Sequence, residues 1–296
     1  MSFSQDLKKE LCKISCPTCC KMAECYGILL FCGAFDTPDL CARFENDEVA
    51  EHLAWLCRRL FRCDYSLTGG GVKKEIFTFS LSKSQAKTVK DMFLSGDEKT
   101  AIQYHNLEDD CCRRSFLRGV FLSCAYISDP QKKYRLDFVV QQKDLADELF
   151  EYLTELGFAP KMTVRQKSTV IYFKDSDAIE DILTTIGATE KVFEFLNTKI
   201  YKNVRERENR LNNCETANIG KTVSASVVQR KAIEKLRARG ILDELSPALQ
   251  SAAKLREENP DSSLNEMVQL EKGLSKSGLN HRLGRLVEIA KEKNLI

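Results

Sequence analysis

Apolar positions in residues 1–200 run through the same sequence of patterns twice. Each round opens on a nearly unbroken apolar stretch, about 21–33 and then 113–125, which predicts a buried helix. A strand-like run follows at about 39–45 and 133–140. Next comes an amphipathic helix, with Val49, Leu53, Leu56 and Leu60 in the first round and Leu145, Leu149, Tyr152, Leu153 and Leu156 in the second, spaced three or four apart. Further strands are expected at about 63–67 and 74–81, then at 161–166 and 169–174, and a last helix at about 82–94 and 175–186. The rounds are also related by identity. CCKMAECYGILLFCGA from Cys19 and CCRRSFLRGVFLSCAY from Cys111 share five of sixteen residues at an offset of 92. Repeats at about 19–95 and 111–190 therefore make one duplicated α/β domain over 1–200. Gly69-Gly70-Gly71, between two strand-like runs, is expected to be a loose hairpin loop, because no Lys-Ser/Thr follows at phosphate-loop spacing.

After Val204 the apolar period fades, and 201–220 is polar and charged, so a linker is expected there. Residues 221–296 then read as all-helical, at about 221–239, 247–258, 263–270 and 275–293. Ser263-Leu264-Asn265-Glu266 has the spacing of a capping box. Lys272-Gly273-Leu274 supplies a turn, and the helix beyond it carries Leu279, Leu283, Leu286 and Ala290 on one face. The fold class expected is α+β: a pseudo-two-fold duplicated domain followed by a helix-turn-helix domain.

Composition adds three constraints. The 296 residues are 43% apolar and 30% charged, enough for about two globular domains. The longest apolar run, Tyr26–Phe35, is half the length of a membrane span, and the N-terminal stretch lacks a signal-peptide core, so a cytoplasmic protein with no membrane partner is expected. The overall charge of +2 hides an asymmetry: residues 201–296 carry 18 Lys and Arg against 13 Asp and Glu, which leaves the first 200 at −3. The basic excess points to an acidic partner for the C-terminal third, and argues against a strong DNA saddle in the duplicated domain.

Lys276, Ser277, Asn280, His281, Arg282 and Arg285 lie on the face or flanks of the last helix opposite its leucines. Lys and Arg neutralise phosphates, and Asn and Arg can pair with base edges, so this helix is expected to contact double-stranded DNA. A plain helical hairpin with a solvated basic face has the same pattern. Thirteen cysteines include one CxxC, Cys16-Pro17-Thr18-Cys19. With no second CxxC, and only the Cys111-Cys112 doublet repeated, the expectation is buried thiols, with no metal and no cofactor. No HExxH, GxSxG or GxGxxG is present, so no catalytic residues are assigned.

The stretch from Phe116, FLRGVFLSCAYIS, resembles a LAGLIDADG helix, and Cys25–Gly33 fits the same frame. In nucleases with that motif an acidic residue near each helix end binds a divalent metal; here those degenerate catalytic positions are Cys32 and Cys124. Thiols are poor magnesium ligands, and Asp36 and Asp129 lie too far along the chain to be expected to substitute. Nearly the whole chain resembles the WhiA family, on MSFSQDLKKEL, the paired Cys-Cys doublets, CCRRSFLRGVFLS, NRLNNCETANIGKTVSAS and SKSGLNHRLGRL. The resemblance implies a LAGLIDADG-like domain without nuclease activity, joined to a DNA-binding helix-turn-helix. It implies a sequence-specific transcriptional regulator acting in cell division, chromosome segregation or sporulation, associated with the nucleoid and with other transcription regulators as candidate partners. Asn218, Lys221 and Thr222 would orient the domains or touch DNA. The alternatives are a protein-interaction adaptor on the same scaffold and, further off, a metal-dependent endonuclease.

Overall fold

The computed structural model describes residues 2–69, 76–94, 101–271 and 273–296. The expected glycine loop falls mostly outside them, since only Gly69 is described, as the last residue of a strand. The chain divides into two compact units, Met1–Lys202 and Asn203–Ile296.

The first unit opens on helix α1 (Phe3–Leu11), which the apolar pattern alone does not predict. Its signal is local: Ser2 and Gln5 form a capping box, the Gln5 amide donating to the Ser2 hydroxyl and the Ser2 amide to the Gln5 side chain. The first repeat is α2 (Thr18–Phe31), β1 (Ala42–Phe44), α3 (Asp47–Phe61), β2 (Tyr65–Gly69), β3 (Phe77–Leu81) and α4 (Lys83–Phe93). The second is α5 (Asp110–Cys124), β4 (Ala125–Ile127), β5 (Leu136–Val140), α6 (Lys143–Glu155), β6 (Lys161–Arg165), β7 (Ser168–Phe173) and α7 (Ser176–Thr185). The sheets confirm the duplication. Their orders, β1-β3-β2 and β4-β5-β7-β6, are antiparallel and correspond strand for strand once β4 is set aside. Strand β4 has no partner in the first copy, where a 3-10 turn (Ala34–Asp36) follows α2 instead.

The two glycines that the repeat aligns, Gly27 and Gly119, sit where α2 and α5 pack together. A Cβ on Gly119 would lie 2.2 Å from the Glu24 carbonyl oxygen, and one on Gly27 would lie 2.5 Å from that of Phe116. Only bare backbone permits this approach. Around the crossing, Tyr26 stacks on Phe93 and Phe116 in a core drawn from both repeats.

The second copy is followed by α8 (Glu190–Ala238). Residues 201–220, expected as a linker, are helical throughout and belong to this one element. Their side chains are almost all exposed, so the lost apolar period marks a helix without a buried face, not a break in the helix. Glu10 of α1 caps the start of α8, its carboxylate accepting the amides of Thr189, Glu190 and Lys191 at 2.6–3.0 Å.

The second unit packs the end of α8, through Ala232, Ile233 and Leu236, with α9 (Pro247–Glu258), α10 (Leu264–Leu270) and α11 (Lys276–Glu292). Its core is small and aliphatic: Leu242, Ala252, Ala253, Met267, Leu279, Leu283 and Leu286 are all buried. Among the described residues no helix is long and apolar enough to cross a membrane.

Candidate nucleic-acid interface

The capping box at α10 forms as its sequence spacing requires, with the Glu266 amide donating to the Ser263 hydroxyl and the Ser263 amide to Glu266. Ser275 caps α11 in turn, accepting from the Gly278 amide at 3.0 Å. Gly273, between the two helices, has φ +90°, a conformation that suits glycine. Behind the turn, the buried Arg256 donates to the Ser262 and Asn259 carbonyls and holds the connection into α10. Nothing in the local sequence pattern marks this arginine, because its partners are main-chain oxygens of a loop.

With Leu279, Leu283, Leu286 and Ala290 buried, helical spacing fixes where the candidate contact residues point. Ser277, His281 and Arg285 stand opposite the buried face. Lys276 and Asn280 lie along one flank, and Arg282 lies along the other. All are exposed except Arg282, which is half-buried. Among the described residues, no hydrogen bond or ion pair engages the side chains of Lys276, Asn280, His281 or Arg282. Arg285 differs: it bridges Glu288 and Glu292, both at 3.1 Å. The free donor row therefore runs from Lys276 to Arg282, and carboxylates close it beyond Arg285.

Asn218, Lys221 and Thr222 fall on one side of α8 at three- and four-residue spacing. The Thr222 hydroxyl donates back to the Asn218 carbonyl at 2.9 Å, and the Asn218 amide contacts the Cys214 sulfur at 3.7 Å. Lys221 is exposed.

In the first unit, Cys32 and Cys124 stand at the C-terminal ends of α2 and α5 and line one cavity of about 620 Å³. Burial pushes both thiols up to about 12, so they are neutral near pH 7. Lys8 of α1 lines the same cavity, its ammonium donating to the Leu122 carbonyl at 2.9 Å, and burial lowers it to about 8. At the helix ends, where a metal-dependent nuclease needs paired carboxylates, this chain presents two neutral thiols, and the same cavity is lined by the cations Lys8 and Arg43 and by one carboxylate, Glu45. Asp36 and Asp129 are not among the lining residues. Gln142 donates to Asp36, and Asp129 accepts the Gln131 amide.

The buried charges of the first unit lie elsewhere along the helix pair. Glu24 of α2 accepts two hydrogen bonds from Arg118 of α5, at 2.7 and 3.0 Å, and one contact of 2.7 Å from His52 of α3. Arg118 also donates to the Ile186 carbonyl and the Ser115 hydroxyl. Burial opposes the charge on Glu24, but the bond to His52 and the Arg118 guanidinium outweigh it and hold the carboxyl below its ordinary range.

Two family models match the chain: the WhiA LAGLIDADG-like domain over residues 113–205 and the WhiA C-terminal HTH domain over 209–290. A protein of Caldicellulosiruptor bescii, named "Probable cell division protein WhiA", is 35% identical across 99% of this chain and 95% of its own. A protein of the same name from Desulforudis audaxviator is 33% identical across 98% and 97%. The crystal structure of full-length WhiA from Thermatoga maritima shares the fold, with a TM-score of 0.60 over 99% of each chain at 22% identity. With a duplicated LAGLIDADG-like unit, a helix-turn-helix unit and end-to-end similarity to these proteins, the chain belongs to the WhiA family.

Proposed function

We propose that this protein is a sequence-specific DNA-binding transcriptional regulator, acting in cell division, chromosome segregation or sporulation, and that its LAGLIDADG-like unit performs no nuclease chemistry. The observation that carries the reading is the unpartnered donors of α11, the exposed Lys276, Asn280 and His281 and the half-buried Arg282, held on a helix whose other face is buried. A lysine, an arginine and an asparagine left free of intramolecular partners suit phosphate contact and base-edge readout. The name of the relatives, "Probable cell division protein WhiA", supports cell division as the process. Support for the absence of cleavage comes from the thiols and the Lys8 ammonium at the helix ends, which replace an acidic metal-binding pair. Asn218, Lys221 and Thr222 offer a second contact to DNA or a surface that orients the domains, and the protein would be found on the nucleoid.

The test is fluorescence anisotropy of the full chain on labelled genomic double-stranded fragments at two salt concentrations, with gel samples taken in magnesium. Saturable binding that weakens steeply with salt, leaves the DNA intact and is weakened in Lys276→Ala and Arg282→Ala is the expected result. Full affinity in both variants, or partner-protein binding with no affinity for DNA, would overturn the DNA reading. Magnesium-dependent cutting by pure protein would overturn the loss of nuclease activity.

A further inference from the structure

The glycine crossing of α2 and α5 has a consequence at the opposite end from Cys32 and Cys124. In each helix the Cys-Cys doublet sits at the same distance before the crossing glycine: Cys19-Cys20 before Gly27, and Cys111-Cys112 before Gly119. The shared register brings the two N-terminal ends together, and the four sulfur atoms lie within 4.8 Å of one another. We propose that these four thiols form a closed, tetrahedral site for one zinc-type ion, which pins the N-terminal ends of the paired helices.

Geometry and chemistry support the assignment. Four sulfurs at about 2.3 Å from a central zinc stand ~3.8 Å apart, so closing the site needs shifts below about 1 Å. The sulfurs are near one another as a set of four, which suits coordination better than two separate covalent pairs. Cys20 and Cys112 are buried and fixed in the core, while Cys19 and Cys111 are exposed and leave a way in for the ion. All four fall at the start of a helix, where the helix dipole favours negative sulfur. Coordination would displace the thiol protons. With four protein ligands and no open position, the site is structural and supplies no hydrolytic water.

The one CxxC of the sequence, Cys16-Pro17-Thr18-Cys19, is not the site. Cys16 instead accepts a hydrogen bond from Arg118 at 3.6 Å, and only Cys19 of that pair joins the cluster. The other ligands come from Cys19's own neighbour and from a doublet 92 residues on, a spacing that no chain-local motif contains.

The experiment is metal analysis of the untagged full chain, purified under reducing conditions without chelator. One zinc per chain is expected in the wild type and in the control Cys214→Ser, falling to background in Cys19→Ser/Cys111→Ser. As a second measurement, the chelator-stripped wild type is titrated with cobalt. Thiolate-to-cobalt charge transfer and the ligand-field bands of a tetrahedral site should saturate at one equivalent, and this result stands even where the double variant fails to fold. Four freely titrating thiols in a natively folded, metal-free wild type would overturn the proposal. So would disulfides linking the doublets in that sample, or iron bound together with inorganic sulfide.

Discussion

Helices α5 and α11 both carry an arginine next to leucines and a glycine in mid-helix, yet these residues do opposite work. In α5, Arg118 is buried and all its described bonds run to the protein, and Gly119 lies against the backbone of α2. In α11, Arg282 is half-buried with no described partner, and a Cβ on Gly284 would meet nothing within 4 Å. The first helix spends its charge and its glycine on closing a core, and the second leaves both facing outward. Charge at one position of a helix thus says little until the opposite face is known. Where apolar residues surround it, a charge must find a partner or destabilise the fold; where one face stays wet, it is available for a ligand.

The comparison can be broken most sharply at Arg118. Arg118→Met leaves Glu24 buried with only His52, and should cost about 3–5 kcal/mol, read as a lower urea midpoint. Gly119→Ala should cost about 3 kcal/mol by forcing α2 and α5 apart, read in the same assay. Neither should change DNA affinity in molecules that remain folded. Arg282→Ala should do the reverse, weakening DNA binding by about 1–3 kcal/mol, with a shallower salt dependence and an unchanged thermal midpoint. Arg285→Ala should weaken it less, because Glu288 and Glu292 already hold that guanidinium.

Acid should act on the first unit through Glu24. The carboxyl of Glu24 has its folded pKa below the ordinary 4.5, so its stabilisation is fully present above that pH and is lost as pH falls through the folded value. Thermal melts taken below about pH 4.5 should lose less stability in Glu24→Gln than in the wild type. The smallest effect is expected at Gly284→Ala, which should stabilise the second unit by about 0.5–1 kcal/mol, seen as a small rise in its melting temperature.

The duplication, the order of strands and helices and the α10–α11 turn were legible because each rests on local period or on a repeat. Ser263 and Glu266 announce their cap three residues apart, and Leu279, Leu283 and Leu286 announce a buried face. Helix α8 was half legible: Glu206, Arg207 and Arg210 are good helix residues, but without an apolar period nothing near them distinguishes a solvated helix from a linker. Strand β4 is three residues long, too short for a period to register. The Glu24–Arg118–His52 group was hidden for a different reason. Its members come from three helices, and only the fold sets them side by side. The cysteine doublets were visible as a repeat, but their convergence was not, since it depends on two glycines letting two backbones touch.

The carboxylate of Glu10 on the first amides of α8 joins positions about 180 residues apart in the chain. A ribosome adds roughly 5–20 residues per second, so α1 is synthesised some 10–35 s before the segment it must cap has been made. For that interval α1 has its own capping box but lacks this long-range tie, and the unit completes its closure only when the start of α8 arrives.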